Sequence, residues 1–246
     1  MSDDAQSQNL KAILGLRGMI VDGLIAPGAR VSELLLVEKL GISRTPARIA
    51  LVQLRNEGLL EALPTGGFVV ASFSELDILE AIEIRGTLEG MAARYAAERG
   101  VSPAMLAPAE KCLAELDKVM AQPDDTFDLN DYVRLNDTFH ELIVECAQSN
   151  MIKRSLERIM SLPFAAPNAF ISSSRSNSPH VRGILYVSQE QHRSMLDAIR
   201  NRQGTRAESL AIEHSRSAWK YLELALRDDE TVTEWPSLAL LRRRAS

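Results

Sequence analysis

The stretch from residue 41 to residue 67, GISRTPARIALVQLRNEGLLEALPTGG, constrains the fold of this chain more than any other. Ser43 stands where an N-cap side chain would accept a free N–H of a first helical turn. Pro46 lies in that turn, where its missing donor costs nothing. Apolar residues then recur at helical spacing and arginines fall on the other faces: Ala47, Ala50, Leu51 and Leu54 against Arg44, Arg48 and Arg55. Gly58 predicts the end of this helix.

Two short β-compatible runs follow, at residues 59–63 and 68–72, separated by the turn sequence Pro-Thr-Gly-Gly. Such a pair predicts a hairpin. Upstream, helical periodicity over about residues 10–24 ends at Ala-Pro-Gly, and a short helix is expected over residues 34–40 after Ser32. Residues 1–8 are expected to be disordered. Three helices and a hairpin in this order predict a winged helix-turn-helix.

The amino-acid sequence of this region resembles that of the N-terminal domain of the GntR family of bacterial transcription regulators. The resemblance lies in PGARVSE and LGISRTPARIALVQLRNEGLLEALPTGGFVV and covers about residues 10–72. It implies contact with operator DNA by four side chains: Arg30, Arg44, Thr45 and Arg48. Ile49 departs from the glutamate usual in the family. Gly66 stands where many members carry a basic residue at the wing tip, so phosphate contact there would come from backbone N–H groups.

Charge and composition bound these expectations. The net charge is −5, but residues 1–73 hold seven basic and seven acidic residues, so the excess acid lies in the remainder of the chain. A neutral N-terminal region with arginines on its expected contact surface is compatible with DNA binding.

Cys112 and Cys146 fall in helix-like segments and are expected to be buried reduced thiols. No membrane span and no signal peptide are evident, so a cytoplasmic protein is expected.

At residues 72–75 the hairpin pattern gives way to a long helical pattern, and we place a domain boundary there. The first domain is residues 1–73, the second is residues 74–230, and residues 231–246 form a tail that is expected to dock, with solvated arginines at 242–244. Helical patterns are predicted at about 75–99, 103–121, 126–148, 150–162, 183–202 and 205–227. Their short connections favour an antiparallel helical bundle. The Pro- and Ser-rich segment 163–181 predicts a loop or lid.

Three of the four histidines, His140, His192 and His214, lie on different predicted helices of this bundle. Inward imidazoles from facing helices are a common way to hold a divalent transition metal, with zinc expected first and nickel, cobalt or manganese also possible. For any single histidine, an ordinary surface or hydrogen-bonded side chain is the competing interpretation. His180 lies in the loop.

These contexts, with the helix LDILEAIEIRGTLEGMAARYAAE, resemble the FCD ligand-binding domain found in the FadR subfamily of the GntR family. In that domain an aspartate four residues before the first histidine completes the metal ligands. The matching position here is Asn136, a neutral and weaker ligand, with Asp137 as the alternative. Arg85 is embedded in the first helix and is a candidate anchor for an acidic effector, although a salt bridge with a nearby glutamate also accounts for it.

Two functions follow from these patterns. The first is a transcription repressor that binds an inverted-repeat operator as a homodimer and senses a small organic acid or a larger carboxylate-bearing metabolite at its metal. The family resemblance implies that the dimer interface lies mainly on the second domain and includes the helix of residues 75–99. The second is a hydrolase or lyase that uses a three-histidine metal site. No HExxH motif, nucleophile motif or general base near the histidines is evident, so no catalytic residue is assigned and a non-enzyme is expected.

Overall fold

A computed structural model describes residues 3–124, 126–167, 179–226 and 240–241 of the chain. The predicted fold class is confirmed, because the described residues form mostly α-helices with one small sheet. The chain divides into two compact units. The first comprises residues 1–78 with residues 161–164 and the C-terminal residues, and the second comprises residues 79–160 and 165–228.

The first unit is a winged helix-turn-helix. Its elements are α1 (Asp3–Val21), β1 (Arg30–Val31), α2 (Glu33–Leu40), α3 (Arg44–Asn56), β2 (Leu60–Ala62) and β3 (Phe68–Val70). The strands form one antiparallel sheet in the order β1-β3-β2. The expected hairpin is therefore formed, and Gly66 lies in its turn with a φ of 89°.

The ends of α2 and α3 show which candidate capping residues cap or end these helices in the structure. The Ser32 hydroxyl accepts the Leu35 N–H at 3.2 Å and caps α2. Gly41 ends α2 in the left-handed region, and Gly58 follows α3 in the same conformation, which glycine adopts without steric cost. Ser43 occupies the N-cap position of α3, but its side chain makes no capping hydrogen bond. The prediction of a side-chain cap at Ser43 was therefore wrong.

Two features of the first unit differ from the sequence expectations. Helix α1 begins at Asp3, so residues 3–8, which were expected to be disordered, are helical. Strand β1 was not predicted, because two residues carry no periodicity of their own. It exists through its pairing with β3, in which Arg30 opposes Val69 and Val31 opposes Phe68.

The C-terminal residues Leu240 and Leu241 belong to the first unit. Leu240 is fully buried in the same hydrophobic core as α1, α2 and α3. The Phe73 N–H donates to the Leu240 carbonyl at 3.0 Å, and the Phe164 ring packs edge-on against the Phe73 ring at 4.7 Å. These two residues of the expected tail are thus docked, whereas Arg242–Arg244 lie outside the described residues.

The second unit is helical. Its elements are α4 (Glu75–Arg99), which begins in the first unit, α5 (Pro103–Met120), α6 (Leu129–Cys146), α7 (Asn150–Met160), α8 (Pro179–Arg200) and α9 (Gly204–Leu226). Ser74 and Asp77 cap α4 reciprocally. A short 3₁₀ helix covers Pro163–Ala165. Of the expected loop 163–181, residues 168–178 lie outside the described residues, and α8 begins four residues earlier than predicted.

Helices α4 and α9 approach closely because α4 presents two glycines to α9. A Cβ atom at Gly86 would lie 2.1 Å from the Ser215 hydroxyl oxygen, and one at Gly90 would lie 2.9 Å from Cγ1 of Ile212. Arg85 precedes Gly86 on α4, and Glu89 precedes Gly90. The close approach brings these two charged side chains toward the interior of the unit, where both are buried.

The two cysteines are free and buried, as predicted. Burial raises the pKa of both thiols, so each remains protonated and unreactive at neutral pH. No helix among the described residues is long and apolar enough to span a membrane.

Candidate functional site

Three buried histidines from three helices converge in the second unit. His140 lies on α6, His192 on α8 and His214 on α9. The Nε2 atom of His214 lies 3.1 Å from Nε2 of His140 and 3.1 Å from Nε2 of His192. The three side chains that the sequence singled out are therefore brought together, with the same ring nitrogen of each turned toward the others.

The opposite ring nitrogen of each histidine faces a side-chain oxygen. His192 Nδ1 lies 3.1 Å from Oε1 of Gln189, and His214 Nδ1 lies 3.2 Å from Oε1 of Gln191. His140 Nδ1 lies 3.4 Å from a carboxylate oxygen of Glu89. An oxygen accepts a hydrogen bond, so these partners favour the proton on Nδ1 of every ring.

With the protons on Nδ1, three Nε2 lone pairs point at one another. Burial, together with the neighbouring imidazoles, lowers the pKa of His192 well below its ordinary value, and burial followed by the proximity of His140 lowers that of His214 to about 3. Both rings are thus neutral at pH 7. Converging lone pairs repel unless a cation lies between them. Two nitrogens that each lie about 2.0–2.1 Å from a shared ion are roughly 3 to 3.4 Å apart, and both 3.1 Å separations fall in that range.

A buried ion pair from α4 borders the histidines. Arg85 NH1 lies 3.5 Å from Oε1 of Glu89, and both side chains are more than 90% buried. Burial alone would raise the pKa of Glu89, but Arg85, followed by His140, outweighs it and lowers the pKa to about 2. Glu89 is therefore an anion that pairs with Arg85 and also faces Nδ1 of His140. The salt bridge expected as the alternative role of Arg85 is present.

A small cavity opens beside the histidines. Its lining is mostly polar and comprises Arg85, Tyr132, Asn136, Pro167, Ser188, His214, Ser217, Ala218 and Tyr221. Arg85 Nε and the Tyr221 hydroxyl are buried and have no hydrogen-bond partner within the described part of the chain. Asn136 is 4% exposed and lines this cavity, whereas Asp137 is half-buried and does not. His180 is exposed.

The residues expected to contact DNA lie on the first unit. Arg30, Arg44, Thr45 and Gly66 are exposed, on β1, α3 and the hairpin turn. Arg48 is also exposed, but its guanidinium is held by a carboxylate of α2: Nε lies 2.7 Å from Oε1 of Glu33, and NH2 lies 3.3 Å from Oε2.

Sequence reasoning missed the oxygen partners of the histidines, namely Glu89, Gln189 and Gln191. The available signal was weak: Gln189 precedes His192 by one helical turn, and Glu89 follows Arg85 by one turn. Gln191 gave no signal, because its partner His214 lies on the next helix.

Two family models match separate stretches of the chain. The model of the bacterial regulatory proteins of the gntR family matches residues 9–70, and that of the FCD domain matches residues 80–217. The chain is 33% identical over 60% of its length to the HTH-type transcriptional regulator YdhC of Bacillus subtilis, of which 64% is covered. It is 28% identical over 58% of its length to the transcriptional repressor RspR of Escherichia coli, of which 61% is covered.

These curated relatives are spanned over little more than three fifths of their length. Among solved structures, E. coli McbR/YncC is similar with a TM-score of 0.60 at 21% identity, over 88% of this chain and 97% of that chain. Lar of Listeria monocytogenes is similar with a TM-score of 0.58 at 17% identity, over 87% and 96% of the two chains. At these identities the likeness concerns the fold.

Proposed function

Because this chain belongs to the GntR family of bacterial regulatory proteins and carries an FCD domain, we propose a specific form of the DNA-binding transcription regulator that the family defines. It is a repressor that binds an inverted-repeat operator as a homodimer. Its second unit holds a divalent transition metal and senses a small organic acid there. Its relatives are named as a transcriptional regulator and a transcriptional repressor, and the proposed role is regulation without catalysis.

The convergence of three Nε2 lone pairs supports the metal proposal. Each ring is turned the same way by an oxygen at Nδ1, and such outer partners fix ligand orientation in protein metal sites. His140, His192 and His214 would hold the ion and Asn136 would add a weak carbonyl ligand. Nitrogen ligands suit zinc, nickel, cobalt or manganese. The metal would supply a Lewis-acid site for an oxygen donor.

The cavity supports an acidic effector. Arg85 is buried and its Nε lacks a partner in the described structure, so a carboxylate placed in the cavity would complete its hydrogen bonds. Three residues that carry hydroxyls, Ser188, Ser217 and Tyr221, line the same cavity. A carboxylate between Arg85 and the histidines suits the charge of this cavity.

Helix α3 and the hairpin support operator binding. Arg44 and Arg48 on α3, with Thr45 at its start, suit guanine edges or phosphate oxygens, and Gly66 suits backbone contact with phosphate. A two-fold operator requires a two-fold protein. Leu76 and Ile84 of α4 are 61% and 51% exposed, which supports α4 as part of the dimer interface.

One experiment tests the metal and the effector together. In a variant with His140, His192 and His214 changed to alanine, we expect metal analysis to find no bound ion and titration with candidate acids to find no change in DNA affinity, while DNA is still bound. Retention of the metal would show that the site is wrong. Loss of the metal with a normal response would make the metal structural. His180→Ala, at an exposed position, is the control and should behave as the unchanged protein.

The recognition helix has its own test. Arg44→Ala should weaken specific DNA binding by about 1–3 kcal/mol if Arg44 makes a bidentate base contact. Arg55→Ala, at an exposed position near the end of α3, should cost less. Equal effects measured by fluorescence anisotropy would contradict a special role for Arg44.

A further inference from the structure

The ion pair between Glu33 and Arg48 places a carboxylate on the surface proposed to face DNA. Arg48 is on α3 and Glu33 is in the first turn of α2. The arginine side chain is 71% exposed and the glutamate side chain 31% exposed. An exposed pair of this kind adds little to stability, and a negative charge next to DNA phosphates opposes binding. Its presence on this surface therefore needs another physical reason.

The geometry of the pair is specific. Nε and NH2 of Arg48 engage the two carboxylate oxygens of Glu33 separately, at 2.7 Å and 3.3 Å. A guanidinium has five N–H donors in one plane. The two used here belong to one edge, so the NH1 donors and one NH2 donor remain. Together they form a second fork, of the kind that matches O6 and N7 of guanine.

From this geometry we infer that Glu33 is a positioning residue for base recognition: it holds the Arg48 guanidinium so that its outer edge is presented to a guanine. A free arginine on a four-bond stem loses rotamer freedom when it binds, and a partner that holds it beforehand reduces that loss. Glu33 also cancels the charge of Arg48. The pair is then a poor phosphate ligand. It contributes more to discrimination between DNA sequences than to affinity for DNA in general.

The charge state of the pair is compatible with this role. The hydrogen bond from Arg48 lowers the pKa of Glu33, and the hydrogen bond to Glu33 raises the pKa of Arg48. Both groups remain charged through the range in which the protein would meet DNA. The inference rests on the proposed role of α3 in DNA recognition, so its test must separate the two.

The test is selection of bound duplexes from a randomised DNA library by the full-length protein, followed by binding of the selected duplex at several salt concentrations. We expect Arg48→Ala and Glu33→Gln to lose a guanine preference at the same position, by about 5- to 150-fold for a bidentate contact. In Glu33→Gln the freed arginine can reach phosphates. Binding of unselected DNA should then strengthen, and its dependence on log salt should steepen by about one for each bound protomer.

Two further variants exclude a purely structural or purely electrostatic effect. Glu38→Gln removes the same charge from an exposed position of α2, and it should strengthen binding to all sequences without changing base preference. The double variant Glu33→Gln, Arg48→Ala should discriminate no less well than Arg48→Ala alone, because a positioning residue acts only through its partner.

The outcomes are distinguishable. If Arg48→Ala loses the guanine preference and Glu33→Gln keeps it, the inference about Glu33 is overturned and the role of α3 stands. If Arg48→Ala also keeps the preference, both are overturned. An additive loss in the double variant would likewise overturn the inference, since Glu33 would then act through the fold of α2.

Discussion

The proposed DNA-facing surface and the histidine centre (His140, His192 and His214 with their partners) assemble their residues in opposite ways. The surface takes its residues from one short stretch, 30–66, and leaves them exposed, whereas the centre takes its residues from positions 85 to 214 and buries them. A solvated arginine needs only its own helix to place it. A buried histidine needs a hydrogen-bond partner and a neighbour on every side, because burying an unsatisfied polar group is costly.

This difference appears in how the side chains are supported. At the centre each imidazole has an oxygen partner, which comes from the same helix for His192 and from another helix for His140 and His214. Among the five residues proposed to contact DNA, Arg48 is the one for which the described part of the chain shows an ion pair. Substitutions outside the contacting residues should therefore damage the centre more than the surface.

Gly86→Ala should produce the largest effect. The new methyl group would lie 2.1 Å from the Ser215 hydroxyl oxygen, so α4 and α9 must separate, and such overpacking costs up to about 3 kcal/mol. Thermal unfolding should show the loss, and metal titration should show weaker binding because Glu89 moves with α4. Gly183→Ala is the matched control, since nothing lies within 4 Å of its new atom. Equal stability of the two variants would contradict the close packing.

Gln189→Leu should follow. It removes the acceptor of His192 Nδ1 and leaves the histidine itself in place, so metal affinity should fall by about 10–100-fold, as is typical for outer partners of metal ligands. Competition with a chromogenic chelator measures this. Gln203→Leu, at an exposed position between α8 and α9, should leave the affinity unchanged. A wild-type affinity in Gln189→Leu would mean that the ring orientation is set by packing alone.

The smallest effect concerns the two serines at the helix starts of the first unit. Ser32→Ala removes a capping hydrogen bond and should lower the free energy of unfolding by about 0.5–2 kcal/mol. Ser43→Ala removes no capping bond and should change it little. Chemical denaturation of both variants makes the comparison. A larger loss in Ser43→Ala would mean that this side chain does cap α3 in solution.

Much of the first unit could be predicted because its signals are local. Gly41 and Gly58 end helices where their neighbours predict, and the Pro-Thr-Gly-Gly turn gives the hairpin. The errors arose where local signals compete or are too short. Ser43 has the right side chain at the right backbone position and still makes no capping bond, and β1 is two residues that pair only because β3 lies beside them.

The sequence by itself determined the winged helix-turn-helix, the helical class of the second unit and the candidate histidines, because periodicity, caps and turn residues act within a few positions of one another. Only the tertiary structure decided which side chains meet: that Glu33 holds Arg48, that Glu89 serves both Arg85 and His140, and that Gln191 of α8 turns the ring of His214 on α9. The physical reason is that hydrogen bonds and ion pairs depend on distances between atoms far apart along the chain. Those distances are set by how closely helices pack, as Gly86 and Gly90 allow for α4 and α9.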